Sequence, residues 1–139
     1  QGINYANLGF TYYNGTQPIR RPDEVLEGGG GNCIDGALLF ASFLELYGLE
    51  PIVAISFRNS HAFVGVRADR GSDLWVFIET TQVGEWQVGA FEAIYRGMNT
   101  YVCWAAGSCE YAPGQVQDPE VYFLDVVAAR EYGILAQPQ

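Results

Sequence analysis

The chain has 139 residues, of which 49% are hydrophobic and 17% charged. This composition is typical of one globular domain over residues 1–139. Because Gln1 is not a methionine, we expect the chain to be a processed product or a domain cut from a longer protein. The net charge is -9 and every positive charge is an arginine, which argues against nucleic-acid binding because that needs a basic face. No apolar run is long enough for a membrane-spanning helix, so we expect no membrane insertion by this segment.

A metal or cofactor site is not expected, because the three cysteines and the single histidine lack the spacings of zinc ligands. Cys103 and Cys109 could form a disulfide in an oxidising compartment, or remain reduced in a cytosolic protein. The sequence therefore leaves both an extracytoplasmic and a cytoplasmic location open. If the pair forms, Cys33 is the odd thiol.

The N-terminal region contains short elements separated by proline and glycine. We expect an irregular or short helical start, then one helical turn over residues 22–26, opened by a proline whose missing N–H costs nothing there. A four-glycine break at 28–31 precedes a buried helix over 33–47, in which apolar residues recur at helical spacing. Asn32 is a suitable N-cap for this helix, and Gly48 is a suitable left-handed C-cap.

Three β-rich runs follow, at residues 52–57, 61–68 and 74–80, with turn-like residues between them. We expect them to form an antiparallel meander. If the second hairpin turns about residues 70–71, odd positions face odd positions across it. One face of the hairpin then carries His61, Phe63, Gly65, Trp75, Phe77 and Glu79.

The C-terminal third is expected to be more irregular. We predict a short helix over residues 90–96 that Gly97 stops, a loop over 103–117, a strand over 121–124 and a final helix over 125–133. Together with the central helix and the meander, these elements predict an α+β fold.

Cys33 lies in the first turn of the central helix, directly behind the glycine-rich break. Unsatisfied amides and the positive end of the helix dipole favour a thiolate there, and a thiolate is a competent nucleophile. The alternative is a small buried hydrophobic residue, the commoner fate of a lone cysteine. The glycines favour the nucleophile, because backbone that passes close to a substrate needs them and a core cysteine does not.

A thiolate nucleophile needs an imidazole, and His61 is the only histidine of the chain. The hairpin parity predicts that Glu79 lies opposite or diagonal to His61, where a carboxylate would orient the ring and stabilise the imidazolium. The alternatives are a capping or core histidine and a surface glutamate at a strand end. A charge next to Ile78 on an otherwise apolar strand, however, needs a partner or a way out to water.

This arrangement, with a helix carrying Cys33 and paired strands carrying His61 and Glu79, resembles the transglutaminase-like core of the papain-like cysteine enzyme superfamily. The matching stretches span residues 17–81 and read QPIRRPDEVLEGGGGNCIDGALLFASFLELYGLEPIV, SHAFVGV and WVFIETT. The resemblance implies a papain-like α+β fold in which the cysteine-bearing helix packs on an antiparallel sheet. It also implies that Cys33 is the nucleophile, that His61 is the general base and acid, and that Glu79 stands where aspartate is usual.

The function implied by the resemblance is acyl transfer through a thioester on Cys33, with a peptide or protein as substrate. An amine acceptor would make the protein a transglutaminase, and water would make it a protease or amidase. Donors to the developing oxyanion are also needed, and the candidates are the backbone N–H of Cys33 and Gln17, unless Gln17 is only a turn residue. Aromatic residues that could line a substrate groove are Phe63, Trp75, Trp86 and Trp104, with core packing favoured for the first two.

Two other functions stay open at this point. A catalytically inactive binding or scaffold module could keep the fold, although it would have no need to retain the thiol, the imidazole and the carboxylate together. A redox protein that uses Cys103 and Cys109 is a weaker alternative, because the pair lacks the CxxC spacing at a helix start. The expected partners are a peptide or protein substrate and any further domains of the parent chain.

Overall fold

The computed structural model describes residues 3–6, 18–82, 84–85 and 88–133. These residues form a mixed α+β fold with four helices and a four-stranded antiparallel sheet. The helices are α1 (Pro22–Gly28), α2 (Cys33–Leu46), α3 (Ala90–Ala106) and α4 (Val126–Glu131). The strands are β1 (Asn4–Tyr5), β2 (Gly30–Gly31), β3 (Pro51–Ser56), β4 (His61–Arg67), β5 (Trp75–Ile78) and β6 (Tyr122–Asp125). Within the described ranges, no helix is both long and apolar enough to cross a membrane.

The sheet has the strand order β5-β4-β3-β6, and all of its neighbouring strands are antiparallel. The expected meander is therefore confirmed as β3-β4-β5. β6, which the sequence indicated only as a strand, pairs with the remaining edge of β3. β3 is buried at five of its six positions because it lies inside the sheet and both of its faces are covered.

α2 begins and ends where its capping residues predict. The Asn32 side chain accepts a hydrogen bond from the Asp35 N–H at 3.1 Å, and the Asp35 carboxylate accepts one from the Asn32 N–H at 3.1 Å. This reciprocal pair is a capping box, which satisfies two amides that the first helical turn leaves without partners. At the other end, Gly48 adopts the left-handed conformation with φ 75°, as expected for the C-terminal cap.

The core lies on both faces of the sheet. On one face, Ile34 and Ala37 of α2 pack against residues of β3 and β4 such as Val53 and Val64. On the other face, residues of α3 and the three-stranded meander form a second cluster, which contains Ile52, Ala54, Phe63, Phe77, Cys103 and Trp104. Successive residues of a strand point to opposite faces, so the even and odd positions of β4 contribute to different clusters.

α3 is longer than the sequence predicted, and the expected stop at Gly97 is wrong. Gly97 is buried within the helix, and a Cβ atom there would lie 2.5 Å from the backbone oxygen of Phe77 on β5. The glycine therefore serves close packing of α3 on β5 rather than termination. The helix continues through residues 103–106, which were expected to form a loop, and ends before Gly107, which has φ 75°.

The first described residues form a short strand, so the expected irregular or helical start is wrong for Asn4–Tyr5. β1 runs parallel to β2, with hydrogen bonds from the Asn4 N–H to the Gly29 oxygen and from the Ala6 N–H to the Gly31 oxygen, both 2.9 Å long. A Cβ atom on Gly30 would lie 2.8 Å from the Asn4 oxygen. This glycine thus allows β1 to pair with the chain directly before α2.

Candidate active site

Cys33, His61 and Glu79 come together at one end of the sheet. Cys33 is the first residue of α2, and His61 is the first residue of β4. Glu79 follows β5 directly, since this strand ends at Ile78, two residues earlier than expected. Because β4 and β5 are antiparallel, the start of one lies beside the end of the other, and the packing of α2 on β4 brings Cys33 to the same place.

Glu79 makes a hydrogen-bonded pair with His61, in which the distance from His61 Nε2 to Glu79 Oε2 is 2.7 Å. β4 and β5 pair Gly65 with Phe77, and the same register continued by two residues brings Glu79 opposite Phe63. Glu79 is therefore diagonal to His61, one of the two positions that the parity of the hairpin allowed. The side chains of His61 and Glu79 are 14% and 8% exposed.

Thr81 holds the other oxygen of the carboxylate. Glu79 Oε1 accepts hydrogen bonds from the Thr81 N–H at 3.1 Å and from Thr81 Oγ1 at 2.8 Å. The Glu79 N–H donates to the Ala93 oxygen on α3 at 2.9 Å, which fixes the backbone as it leaves the sheet. Both carboxylate oxygens and the backbone of Glu79 are thus held, and this fixes the orientation of the carboxylate toward His61.

The electrostatics of the pair favour a charged imidazolium. Burial lowers the pKa of His61, but hydrogen bonds and charge interactions with Cys33 and Glu79 outweigh it and raise the pKa from 6.5 to about 9. Burial raises the pKa of Glu79, but its interactions with His61 and Thr81 dominate and hold that pKa below the ordinary value. At neutral pH, therefore, the two side chains form a buried ion pair.

Cys33 is the third member of this chain of contacts. It is buried, with 3% of its surface exposed, and it lies close enough to His61 to contribute to the raised pKa of the imidazole. Since Glu79 occupies Nε2 of the imidazole, Nδ1 is the nitrogen left for the sulfur of Cys33. Cys103 and Cys109 form a disulfide, so Cys33 is the free thiol of the protein.

Trp104 covers one side of the imidazole. Its ring meets that of His61 edge-on at 6.0 Å between centroids, and it packs on Phe63 at 4.8 Å. The indole N–H donates to Gln115 Oε1 at 2.9 Å. Trp104 is fully buried, so it belongs to the core beside His61 and does not line an open groove as the sequence had allowed.

Tyr5 is a neighbour of the site that the sequence did not indicate. It pairs in register with Gly31, two residues before Cys33. Burial raises the pKa of Tyr5, and charge interactions with Cys33 and Glu79 raise it further. The parallel pairing of β1 with β2 brings the phenol to the site, and such long-range pairing leaves no local pattern in the sequence.

Two residues singled out from the sequence, Gln17 and Trp86, lie outside the described residues. In the described part of the chain, no group of three or more histidine, cysteine, aspartate or glutamate side chains could hold a metal ion. What the site contains is a free thiol beside an imidazole that is hydrogen-bonded to a carboxylate.

No protein-family model, curated protein or solved structure matches this chain. The fold and site define an α+β protein with a buried cysteine, histidine and glutamate cluster at the end of an antiparallel sheet.

Proposed function

We propose that the protein is a thiol-dependent acyltransferase or amide hydrolase with a papain-like, transglutaminase-type fold. Cys33 would be the nucleophile, His61 the general acid and base, and Glu79 the group that orients the imidazole. The observation that carries this proposal is the 2.7 Å hydrogen bond between His61 and Glu79, beside the buried free thiol of Cys33. The same three groups, in the same order of contact, are what nucleophilic acyl transfer requires.

In the acylation step, the thiolate of Cys33 attacks the carbonyl carbon of an amide or ester, and the π electron pair moves to the carbonyl oxygen. The tetrahedral intermediate collapses when the bond to the leaving amine or alcohol breaks, and the imidazolium of His61 gives that group its proton. The product is a thioester on Cys33 and a neutral imidazole. The raised pKa of His61 supports this role, because the proton is present before attack.

The developing oxyanion would take a hydrogen bond from the backbone N–H of Cys33. This amide belongs to the first turn of α2, where amides have no partner inside the helix, and it lies at the positive end of the helix dipole. In other enzymes, a donor of this kind contributes about 3–4 kcal/mol to transition-state stabilisation.

In the second step, water or an amine attacks the thioester, and neutral His61 accepts the proton that the attacking group loses. The bond to sulfur breaks, Cys33 leaves as a thiolate and the imidazolium is restored. Glu79 stays ionised throughout, because it is held by His61 and Thr81. An amine acceptor gives a transglutaminase, and water gives a protease or amidase.

A non-catalytic binding module is the second candidate, and the burial of Cys33 favours it. With 3% of its surface exposed, the thiol offers little access to a substrate carbonyl in this conformation. In that case the ion pair of His61 and Glu79 would be structural, and Cys33 would be an inert core residue.

Alkylation with iodoacetamide separates the two candidates, because the chain has one free thiol and mass spectrometry can locate the adduct. An ion pair with His61 predicts that Cys33 reacts at about pH 6 at least about tenfold faster than in the urea-unfolded chain. The substitution His61→Ala should remove this advantage. Reaction no faster than in the unfolded chain would contradict the enzymatic proposal and favour the binding module.

The acceptor can then be identified with a glutamine-containing casein as the acyl donor and a fluorescent primary amine. Incorporation of the amine that is lost in Cys33→Ala indicates a transglutaminase. Release of new amino termini or of ammonia, without incorporation, indicates a hydrolase.

A further inference from the structure

The turn that leads into His61 is held in a conformation that needs outside support. It connects β3 to β4, and Ser60, the residue before His61, has φ 50°. This left-handed conformation is uncommon for a residue with a Cβ atom. In the sheet, His61 pairs with Ser56, so the two ends of the turn face each other across the hairpin.

The Asn59 side chain makes three hydrogen bonds in and around this turn. Its Nδ2 donates to Ser56 Oγ at 2.8 Å and to the Val116 oxygen at 3.0 Å, while its Oδ1 accepts from the Val116 N–H at 2.8 Å. The backbone N–H of Asn59 also donates to Ser56 Oγ at 3.0 Å. One amide side chain thus joins the turn to residue 116, which is 57 positions further along the chain.

The segment that receives Asn59 is the α3–β6 loop, residues 107–121, and it also supports Trp104. Gln115 of this loop accepts the indole N–H of Trp104, and the Asp118 N–H donates to the Trp104 oxygen at 3.1 Å. Asp118 Oδ2 in turn accepts a buried hydrogen bond from Ser56 Oγ at 2.6 Å. The disulfide between Cys103 and Cys109 closes the base of the loop.

The α3–β6 loop therefore contacts two residues near the imidazole, Trp104 and Asn59. Through Trp104 it supports the ring that packs edge-on against His61. Through Asn59 it holds the backbone two residues before His61. The 2.7 Å bond between His61 and Glu79 would become too long for a hydrogen bond if the start of β4 moved by about 1 Å.

We propose that Asn59 is a positioning residue that joins the start of β4 to the α3–β6 loop and thereby keeps His61 in contact with Glu79 and Cys33. The effect of Asn59 on catalysis rests on the proposed function, whereas the effect of Asn59 on the His61–Glu79 pair does not. The charged and titratable groups that interact with the imidazole are Glu79 after β5 and Cys33 on α2, and Tyr5 on β1 interacts electrostatically with both of these.

The test uses Asn59→Ala, with Asn59→Asp as a conservative variant that keeps an oxygen to accept the Val116 N–H. Asn99→Ala is the matched control, because Asn99 is partly exposed and, among the described residues, its side chain donates to the Tyr95 oxygen within α3. Two readouts are measured on protein that circular dichroism shows to be folded. The first is the NMR titration of the sole imidazole, and the second is the alkylation rate of Cys33 at about pH 6.

We expect Asn59→Ala to lower the pKa of His61 from about 9 toward 6.5 and to slow alkylation of Cys33 at least about tenfold. Asn59→Asp should give intermediate values, and Asn99→Ala should change neither. A role in stability alone would lower the midpoint of unfolding but leave the titration of the folded molecules unchanged.

Wild-type titration and alkylation in folded Asn59→Ala would overturn the inference and leave the proposed function intact. If Asn59→Ala does not fold, a wild-type titration in Asn59→Asp would overturn it equally. If alkylation of the wild-type protein is no faster than that of the unfolded chain, the proposed function fails, and the imidazole titration still decides the role of Asn59.

Discussion

Protonation of His61 should stabilise the folded protein at neutral pH and cease to do so at alkaline pH. Contacts with Cys33 and Glu79 raise the pKa of His61 from 6.5 to about 9 in the folded state, so that state binds the proton more tightly than the unfolded chain does. The stabilisation is therefore complete below about pH 6.5. It declines as the pH rises from 6.5 to about 9 and is absent above that.

The expected magnitude follows from the two pKa values. A tenfold change in proton affinity is worth about 1.4 kcal/mol, so the interval from 6.5 to about 9 corresponds to about 3 kcal/mol. His61 and Glu79 are only 14% and 8% exposed, so solvent screens this interaction little. A domain of this size is stable by roughly 5–15 kcal/mol, and the effect is a large fraction of that.

The substitution Glu79→Gln isolates the contribution of the carboxylate, since it removes the charge and nearly preserves the shape. We expect the pKa of His61 in the NMR titration to fall well below 9. We also expect the free energy of unfolding in urea to drop more at about pH 6.5 than at about pH 9.5. Comparing the two proteins at each pH cancels the titration of groups that the substitution does not touch.

Glu92→Gln is the matched control. It removes an exposed carboxylate that pairs with Arg96 at 2.6 Å within α3, and both side chains are 44% exposed. This variant should leave the pKa of His61 and the pH dependence of stability unchanged. A wild-type His61 that titrates near 6.5, or a destabilisation by Glu79→Gln that is equal at both pH values, would contradict the ion pair of His61 and Glu79.

Three further predictions concern the support of the site and the fold. Thr81→Val removes the 2.8 Å hydroxyl contact to the buried carboxylate, so the free energy of unfolding in urea should fall by about 2 kcal/mol. Gly97→Ala brings a Cβ to 2.5 Å from a backbone oxygen of β5, so it should lower the free energy of unfolding by about 2 kcal/mol. Gly28→Ala is the control, because a Cβ there has no atom within 4 Å and should not lower the free energy of unfolding. Replacing Cys103 and Cys109 together by alanine should lower the free energy of unfolding by about 2 kcal/mol, because a cross-link over six residues restricts the entropy of the unfolded chain by about that amount. Reduction of the wild-type disulfide with a phosphine should lower the free energy of unfolding equally.

Local patterns were sufficient for the central helix and the meander. α2 begins at the hydrogen-bonded cap of Asn32 and ends at the left-handed backbone conformation of Gly48. Both features involve only nearby residues. The alternation of side chains in a hairpin, combined with the position of its turn, was enough to bring Glu79 within reach of His61. These features depend on residues within one helix or one hairpin, so the sequence alone predicts them.

Features that depend on distant parts of the chain were missed. Gly97 looks like a helix stop in the sequence, but its role is to let α3 pack closely on the backbone of β5. The pairing of Tyr5 with Gly31 is likewise decided by the approach of two separate segments. In both cases tertiary packing overrides a local preference, and no pattern within a short window records it.

The position of His61 explains why the site was predicted only in part. Cys33 belongs to the core cluster between α2 and the sheet, whereas Phe63 and Trp104 belong to the cluster on the opposite face. His61 lies at the end of the sheet, where its imidazole contacts groups from both sides. Because the two clusters are built by different helices, a change in the packing of either one moves a neighbour of the imidazole. The three side chains of the cluster can therefore be identified from the hairpin and the start of α2, but the distances between them depend on the whole fold.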